Sequence, residues 1–186
     1  MEDSQTQLSQ TSLVVASMSL AMLDDGERTN VTLEALEKQP TAVSIISAAN
    51  EKLGNKRNAE TYSASMLLTI INMAFDMQGI VLTEVPSETM LASLKACFKR
   101  RHFYKDEAFE VEAESADMLP NDYPQRPIME FVDDYMQSIT DDQRHHGEEE
   151  EDPGYVFSLI KVVVDAYIVH LRDTPDYALM GIDPPE

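Results

Sequence analysis

The sequence contains no tryptophan and only one cysteine, and 7% of its residues are aromatic. A lone cysteine, Cys97, excludes an internal disulfide and fits a reducing compartment. With so few aromatic side chains, the core must be built from Leu, Ile, Val, Met and Ala. The 11 methionines suit such a core, because their flexible thioethers fill irregular gaps between helices.

Basic residues are also scarce: the 186 residues include 14 Lys and Arg against 34 Asp and Glu, a net charge of −20. The imbalance lies almost wholly in one half of the chain. Residues 1–105 carry 12 acidic and 10 basic side chains, whereas residues 106–186 carry 22 and four. Such a charge repels nucleic acid and anionic membranes, so we expect a basic protein surface as the partner.

No segment has the pattern of a secretion signal or a membrane span. The first three residues include no basic side chain, so the apolar stretch at 13–23 is a poor signal peptide. The most apolar segment, Tyr155–Leu171, is short for a span and carries Lys161 and Asp165. We therefore expect a non-secreted protein, located in the cytoplasm or within a virion.

Apolar residues recur at helical spacing along most of the chain. We predict a mainly α protein, a single-domain bundle of five or six helices. In the last helical segment, the run Val162-Val163-Val164 keeps a strand interpretation open. Helical signals of varying strength occur at residues 8–23, 32–38, 42–53, 58–78, 86–101, 127–140 and 155–171.

Two short segments have strand character. Residues 80–85 are rich in β-branched side chains, and residues 109–114 alternate apolar with acidic side chains. They could pair as one small two-stranded β element. Glu110, Glu112 and Glu114 would then share one face of a strand, as a solvated acidic edge.

The predicted organisation follows the changes in composition. A helical core is followed by an acidic linker, a central apolar helix that packs on the core, and a tail with three prolines. The ranges are 1–140 for the core, 141–154 for the linker, 155–172 for the helix and 173–186 for the tail.

The segment His145–Asp152 combines two histidines with five acidic residues, which are ligand types for Zn²⁺ or Mn²⁺. It lacks both the i, i+4 ligand pair of a helical zinc site and the Gly and Asp pattern of a calcium loop. We therefore interpret it as a solvated acidic linker, and we predict no metal and no cofactor.

Cys97 lies on the apolar face of a predicted helix, and His102 lies off that face. A buried, inert thiol is therefore expected rather than a nucleophile.

The basic cluster Lys95–Lys105 interleaves cations with aromatic residues, as some nucleic-acid contacts do. Cations also complement a helix C-terminus, and the acidic half follows at once, so we predict no direct binding of nucleic acid.

No motif for catalysis is recognisable, neither a glycine-rich phosphate loop nor a G-x-S-x-G turn. We predict a non-enzymatic protein–protein interaction or assembly component, for example a viral or phage structural protein, whose acidic surface binds a basic partner. A homo-oligomer or larger assembly fits this function. The alternative is an acidic DNA mimic that inhibits a nucleic-acid-binding protein. The predicted partner-binding residues are Glu110, Glu112, Glu114, Glu148, Glu149, Glu150, Glu151 and Asp152.

Overall fold

The computed structural model describes residues 7–52, 57–105, 115–147 and 151–172 together with Tyr177, without the side chains at 52, 98–105 and 118. This part of the chain is mainly helical, with seven α-helices, one short 3-10 helix at Ala116–Met118 and no strand. The helices are α1 (Gln10–Ala21), α2 (Asp25–Glu37), α3 (Pro40–Lys52), α4 (Asn58–Met77), α5 (Ser87–Lys105), α6 (Arg126–His146) and α7 (Pro153–Leu171).

Side-chain caps explain where several helices begin. The side chain of Ser9 accepts a hydrogen bond from the backbone of Ser12 at the start of α1. Asp24 forms a capping box with Glu27 at the start of α2. At the other end of a helix, Gly147 terminates α6 with a φ of 69°, a left-handed conformation that glycine adopts without steric cost.

Two helices, α4 and α7, form the centre of the protein and contact each other. Helices α1, α2 and α3 pack against α4, whereas α5 and α6 pack against α7. Phe75 of α4 meets Tyr167 of α7 edge to face, with ring centroids 6.0 Å apart. Every residue of α7 from Val156 to Ile168 is buried, and the segment is a helix, so the strand interpretation is wrong.

Helix α7 is also the one helix in the described ranges that is long and apolar enough to cross a membrane. Its apolar window is 83% buried inside the protein, as in the core helix of a globular fold. Its length and composition alone therefore do not show that α7 crosses a membrane.

The predicted strand at residues 80–85 is not observed, although the segment is described. Its backbone bonds to a side chain instead of a neighbouring strand: Gln39 donates to the carbonyl of Thr83 and accepts from the N–H of Val85. The predicted pairing segment, residues 109–114, lies outside the described residues. The proposed β element is therefore not confirmed.

Three helices extend at least four residues beyond a predicted end. Helix α2 begins at Asp25 rather than near residue 32, because Asp24 caps its first turn. Helix α6 continues to His146, six residues into the predicted linker, and stops at Gly147. Helix α5 reaches Lys105 rather than residue 101.

Candidate functional site

Of the eight predicted partner-binding residues, the structure describes Glu151 and Asp152. Both lie just before α7, at the junction where the chain arrives from α6. The remaining six lie outside the described residues: Glu110, Glu112, Glu114, Glu148, Glu149 and Glu150.

The α6–α7 junction belongs to a stretch that we call the acidic segment, residues 141–152, which has seven acidic residues and one arginine. Asp141 and Asp142 belong to the C-terminal part of α6, and their side chains are 59% and 77% exposed. Arg144 Nη1 lies 3.2 Å from Asp141 Oδ1, and His146 Nδ1 lies 3.5 Å from Asp142 Oδ1. Both contacts lie between exposed side chains of the same helix, so they contribute little to the stability of α6.

The second half of the segment is anchored by Arg57, at the start of α4. Its guanidinium lies 2.6 Å from Glu60 Oε1 and 3.4 Å from Asp152 Oδ2, and it sits 5.4 Å from the centroid of the Tyr155 ring. The hydrogen bond to Glu60 raises the pKa of Arg57 above its ordinary value. Asp152 also caps α7 by accepting from the N–H of Tyr155. This carboxylate therefore has a structural role at the junction of α4 and α7.

Glu151 is held by a reciprocal pair of hydrogen bonds to Gln143 of α6. Its N–H donates to Gln143 Oε1 at 2.9 Å, and Gln143 Nε2 donates to Glu151 Oε1 at 3.1 Å. These bonds join two positions eight residues apart. The two hydrogen bonds therefore close the connection between α6 and α7 at Gln143 and Glu151.

Two tyrosines lie beside this closure. Burial raises the pKa of Tyr135 on α6, and the nearby Tyr62 and Glu151 raise it further. Tyr62 is 63% exposed although it belongs to the central helix α4. Tyrosine is enriched at protein interfaces, and its ring attracts cations, so an exposed tyrosine next to carboxylates is suited to a basic partner.

A second polar cluster is buried within α7. Lys161 Nζ lies 2.7 Å from Asp165 Oδ2, and the hydroxyl of Tyr123 donates to Asp165 Oδ1 at 2.6 Å. The Lys161 ammonium also lies 5.0 Å from the centroid of the Tyr123 ring. Through Tyr123, the cluster connects α7 with the loop that precedes α6. The side chains of Lys161 and Asp165 are only 7% and 0% exposed, so the cluster is not open to a substrate.

Beside that loop lies a shallow cavity of about 420 Å³. Residues of both charges line it, among them Arg126, Arg172 and Glu130. Arg126 Nε lies 2.8 Å from Glu130 Oε1, so part of the positive charge is already compensated. The cavity therefore shows no concentration of one charge that would select an ionic ligand.

The remaining sequence candidates fall in different places. Cys97 is 6% exposed and belongs to the hydrophobic core, as predicted. Across the described ranges, no three His, Cys, Asp or Glu side chains are grouped to bind a metal ion. Lys95 is exposed on α5, and the side chains of the rest of the basic cluster are not described.

Sequence reasoning missed Arg57, Tyr62 and Gln143. Arg57 and Asp152 are far apart in the chain, and no periodic pattern links them. The Lys161 and Asp165 pair does leave a signal, because two opposite charges at i and i+4 in an apolar helix must pair if that helix is buried.

The chain was compared with protein-family models, with curated proteins and with solved structures. No match was found in any of the three comparisons.

Proposed function

We propose that this chain is a non-enzymatic protein–protein interaction or assembly component that binds a basic protein surface through the acidic segment. The observation that carries the proposal is the exposure of Asp141 and Asp142 near the C-terminus of α6. The seven acidic residues of the segment outnumber its single arginine, so their charges repel one another. A cationic partner would relieve this repulsion.

The anchoring of the segment supports this function. The bonds from Gln143 to Glu151 and from Arg57 to Asp152 hold both sides of the junction before any partner arrives. A surface whose ends are fixed in advance loses less conformational entropy on binding than a free acidic tail does. Carboxylates gathered within about 8 Å, the screening distance at physiological salt, also act together on an approaching cation.

The core supports the single-domain bundle predicted from the sequence. Buried side chains from all three layers, the α1 to α3 group, the α4 and α7 pair, and the α5 and α6 group, belong to one hydrophobic cluster. Such a core gives the acidic segment a rigid platform, with exposed Tyr62 at its edge. Rigid aromatic groups next to charge are typical of protein contacts.

The test compares two variants, in each of which four carboxylates become amides. The segment variant changes Asp141→Asn, Asp142→Asn, Glu148→Gln and Glu149→Gln. The control variant changes the same number of acids in the first half of the chain: Glu34→Gln, Glu37→Gln, Glu84→Gln and Glu88→Gln, all exposed.

Partners are trapped by photo-crosslinking in the source cells, identified by mass spectrometry, purified and measured in binding kinetics at two salt concentrations. We expect the segment variant to associate about tenfold more slowly and with a weaker salt dependence, because rim charges act mainly on the association rate. The control variant should bind like the wild type. Equal behaviour of the two variants would contradict the proposal. Competition between this chain and duplex DNA for the trapped partner would favour the DNA-mimic alternative.

A further inference from the structure

Helix α1 is apolar on two opposite faces. Its inner face, with Leu13, Ala16 and Leu20, is buried against α4 and α6. The opposite face carries the α1 outer stripe, which we define as Val14, Val15, Met18 and Met22, exposed by 45%, 46%, 60% and 84%. An exposed contiguous apolar stripe on a folded protein is typical of a contact surface, so we look for a group that covers the outer stripe.

The same helix is free of charge. Residues 4–23 contain no ionisable side chain, in a chain whose net charge is −20. This stretch gives a basic partner no carboxylate to bind. A second copy of the same acidic protein that packs on this stretch meets no carboxylate of α1 itself, which limits the repulsion between the copies.

We propose that the α1 outer stripe is a self-association surface, on which α1 of one copy packs against α1 of a second copy. This inference rests on the proposed assembly function and adds the surface by which copies meet. A twofold arrangement needs only one self-complementary patch, and it is the commonest symmetry of soluble oligomers. A neutral apolar stripe meets this requirement, whereas an acidic patch facing its own copy does not.

The spacing of the stripe fits helix pairing. Val15, Met18 and Met22 follow one another at steps of three and four, the arrangement that lets side chains of two nearly parallel or antiparallel helices interdigitate. Methionine adapts its shape to a partner surface. The stripe is short, so we expect weak association that depends on protein concentration, below the strength of an interface of standard size.

The test measures the oligomeric state of the full chain by sedimentation over a wide range of concentration. We expect wild type to dimerise and Met18→Glu to raise the dimer dissociation constant at least tenfold. The matched control is Met77→Glu, which makes the same change at a methionine of α4 that is 48% exposed, and it should dimerise like wild type. A wild type that stays monomeric throughout, or a control that dissociates as readily as Met18→Glu, overturns the proposal.

A crosslinking measurement locates the face directly. Met18→Cys should form a disulfide-linked dimer under mild oxidation, whereas Met77→Cys should not, and the buried native Cys97 contributes little to either. A dimer in solution without a Met18→Cys crosslink would place the interface elsewhere and overturn the inference. Binding of the wild type, but not of Met18→Glu, to uncharged lipid vesicles without self-association would assign the stripe to a membrane and also overturn it.

Salt separates this proposal from the proposed function. Added NaCl screens the repulsion between two acidic copies and should tighten the dimer, whereas it weakens contact with a basic partner. The segment variant described above should dimerise at least as well as wild type while losing partner binding. Each proposal can therefore fail without the other.

Discussion

At the residue scale, the most constrained group is the buried pair of Lys161 and Asp165 on α7. Removing two charges from water is costly, and the short contact between them together with the Tyr123 hydroxyl offsets that cost. The pair could be expected from its i, i+4 spacing, since an unpaired charge is hardly tolerated in a core. Tyr123 could not, because it reaches Asp165 from a loop 42 residues away.

We predict that Lys161→Met lowers the free energy of unfolding by about 3–5 kcal/mol, because it leaves the Asp165 carboxylate buried without its cation. The double variant Lys161→Met with Asp165→Leu should lose much less, since no charge remains buried. Urea unfolding measures both. Lys95→Met, at an exposed position of α5, is the control and should change stability by less than about 0.5 kcal/mol. Equal losses in the single and double variants would show that the charges themselves are not the cause.

Asp133 on α6 gives a pH-dependent prediction. Burial raises its pKa, helped by Asp117 and Asp134, while a hydrogen bond from the N–H of Ala116 works in the opposite direction. A raised pKa means that the folded state holds the proton more tightly than the unfolded state. Stability is therefore gained when the group is protonated and lost as the pH rises through the pKa of the folded protein.

We accordingly expect Asp133→Asn to stabilise the protein at neutral pH, because an amide oxygen can still accept from Ala116 and carries no charge. The gain should be below about 1 kcal/mol for a half-exposed group, and it should vanish below about pH 4, where the aspartate is itself protonated. Thermal unfolding at several pH values measures it. Asp134→Asn, at an exposed neighbour, serves as the control. A gain that persists unchanged in acid would rule out this explanation.

At the scale of elements, the segment at residues 80–85 shows why a strand pattern can mislead. Its β-branched residues favour an extended backbone, and the backbone still needs hydrogen-bond partners. Gln39, which is 1% exposed, supplies two of them from the connection between α2 and α3. The sequence pattern indicates that the backbone prefers an extended conformation. It cannot show whether a neighbouring strand or a single side chain supplies the hydrogen bonds that this backbone needs.

We predict that Gln39→Ala costs about 1–3 kcal/mol of stability, because it leaves the N–H of Val85 and the carbonyl of Thr83 without their partner. Hydrogen exchange at Val85 should accelerate more than exchange in α7. Gln78→Ala, at an exposed position just after α4, should have little effect. Unchanged exchange at Val85 would mean that Gln39 does not hold this segment.

At the scale of the whole molecule, the patterns of apolar residues predicted the helical class and the burial of α7. The helix boundaries were harder to predict from the sequence, because a residue such as Asp24 can follow the end of one helix and also cap the next. The anchoring of the acidic segment by Arg57 was not predictable, since it depends on how α4 and α7 pack. The basic partner expected from the charge composition stays a prediction, and the composition could not show which carboxylates the fold itself uses.

The uneven charge yields a prediction for the entire fold. With 22 acidic and four basic residues after position 105, self-repulsion should lower stability at low salt. We expect the melting temperature to rise as NaCl increases from about 10 mM to about 1 M, where the screening distance falls to roughly 3 Å. The segment variant should melt higher than wild type at low salt and respond less to NaCl. The same salt response in both would place the repulsion outside residues 141–152.

The late position of α7 in the chain affects how the protein is made. Helix α7 supplies the buried centre for α4, α5 and α6, yet it is synthesised after all of them. At ribosomal rates of about 5–20 residues per second, the face of α4 that will meet α7 waits roughly 5–20 s for its partner. During that interval the nascent chain exposes apolar surface, and its nearly neutral first half emerges before the acidic half. Binding of a chaperone during translation should therefore be strongest before α7 leaves the ribosome.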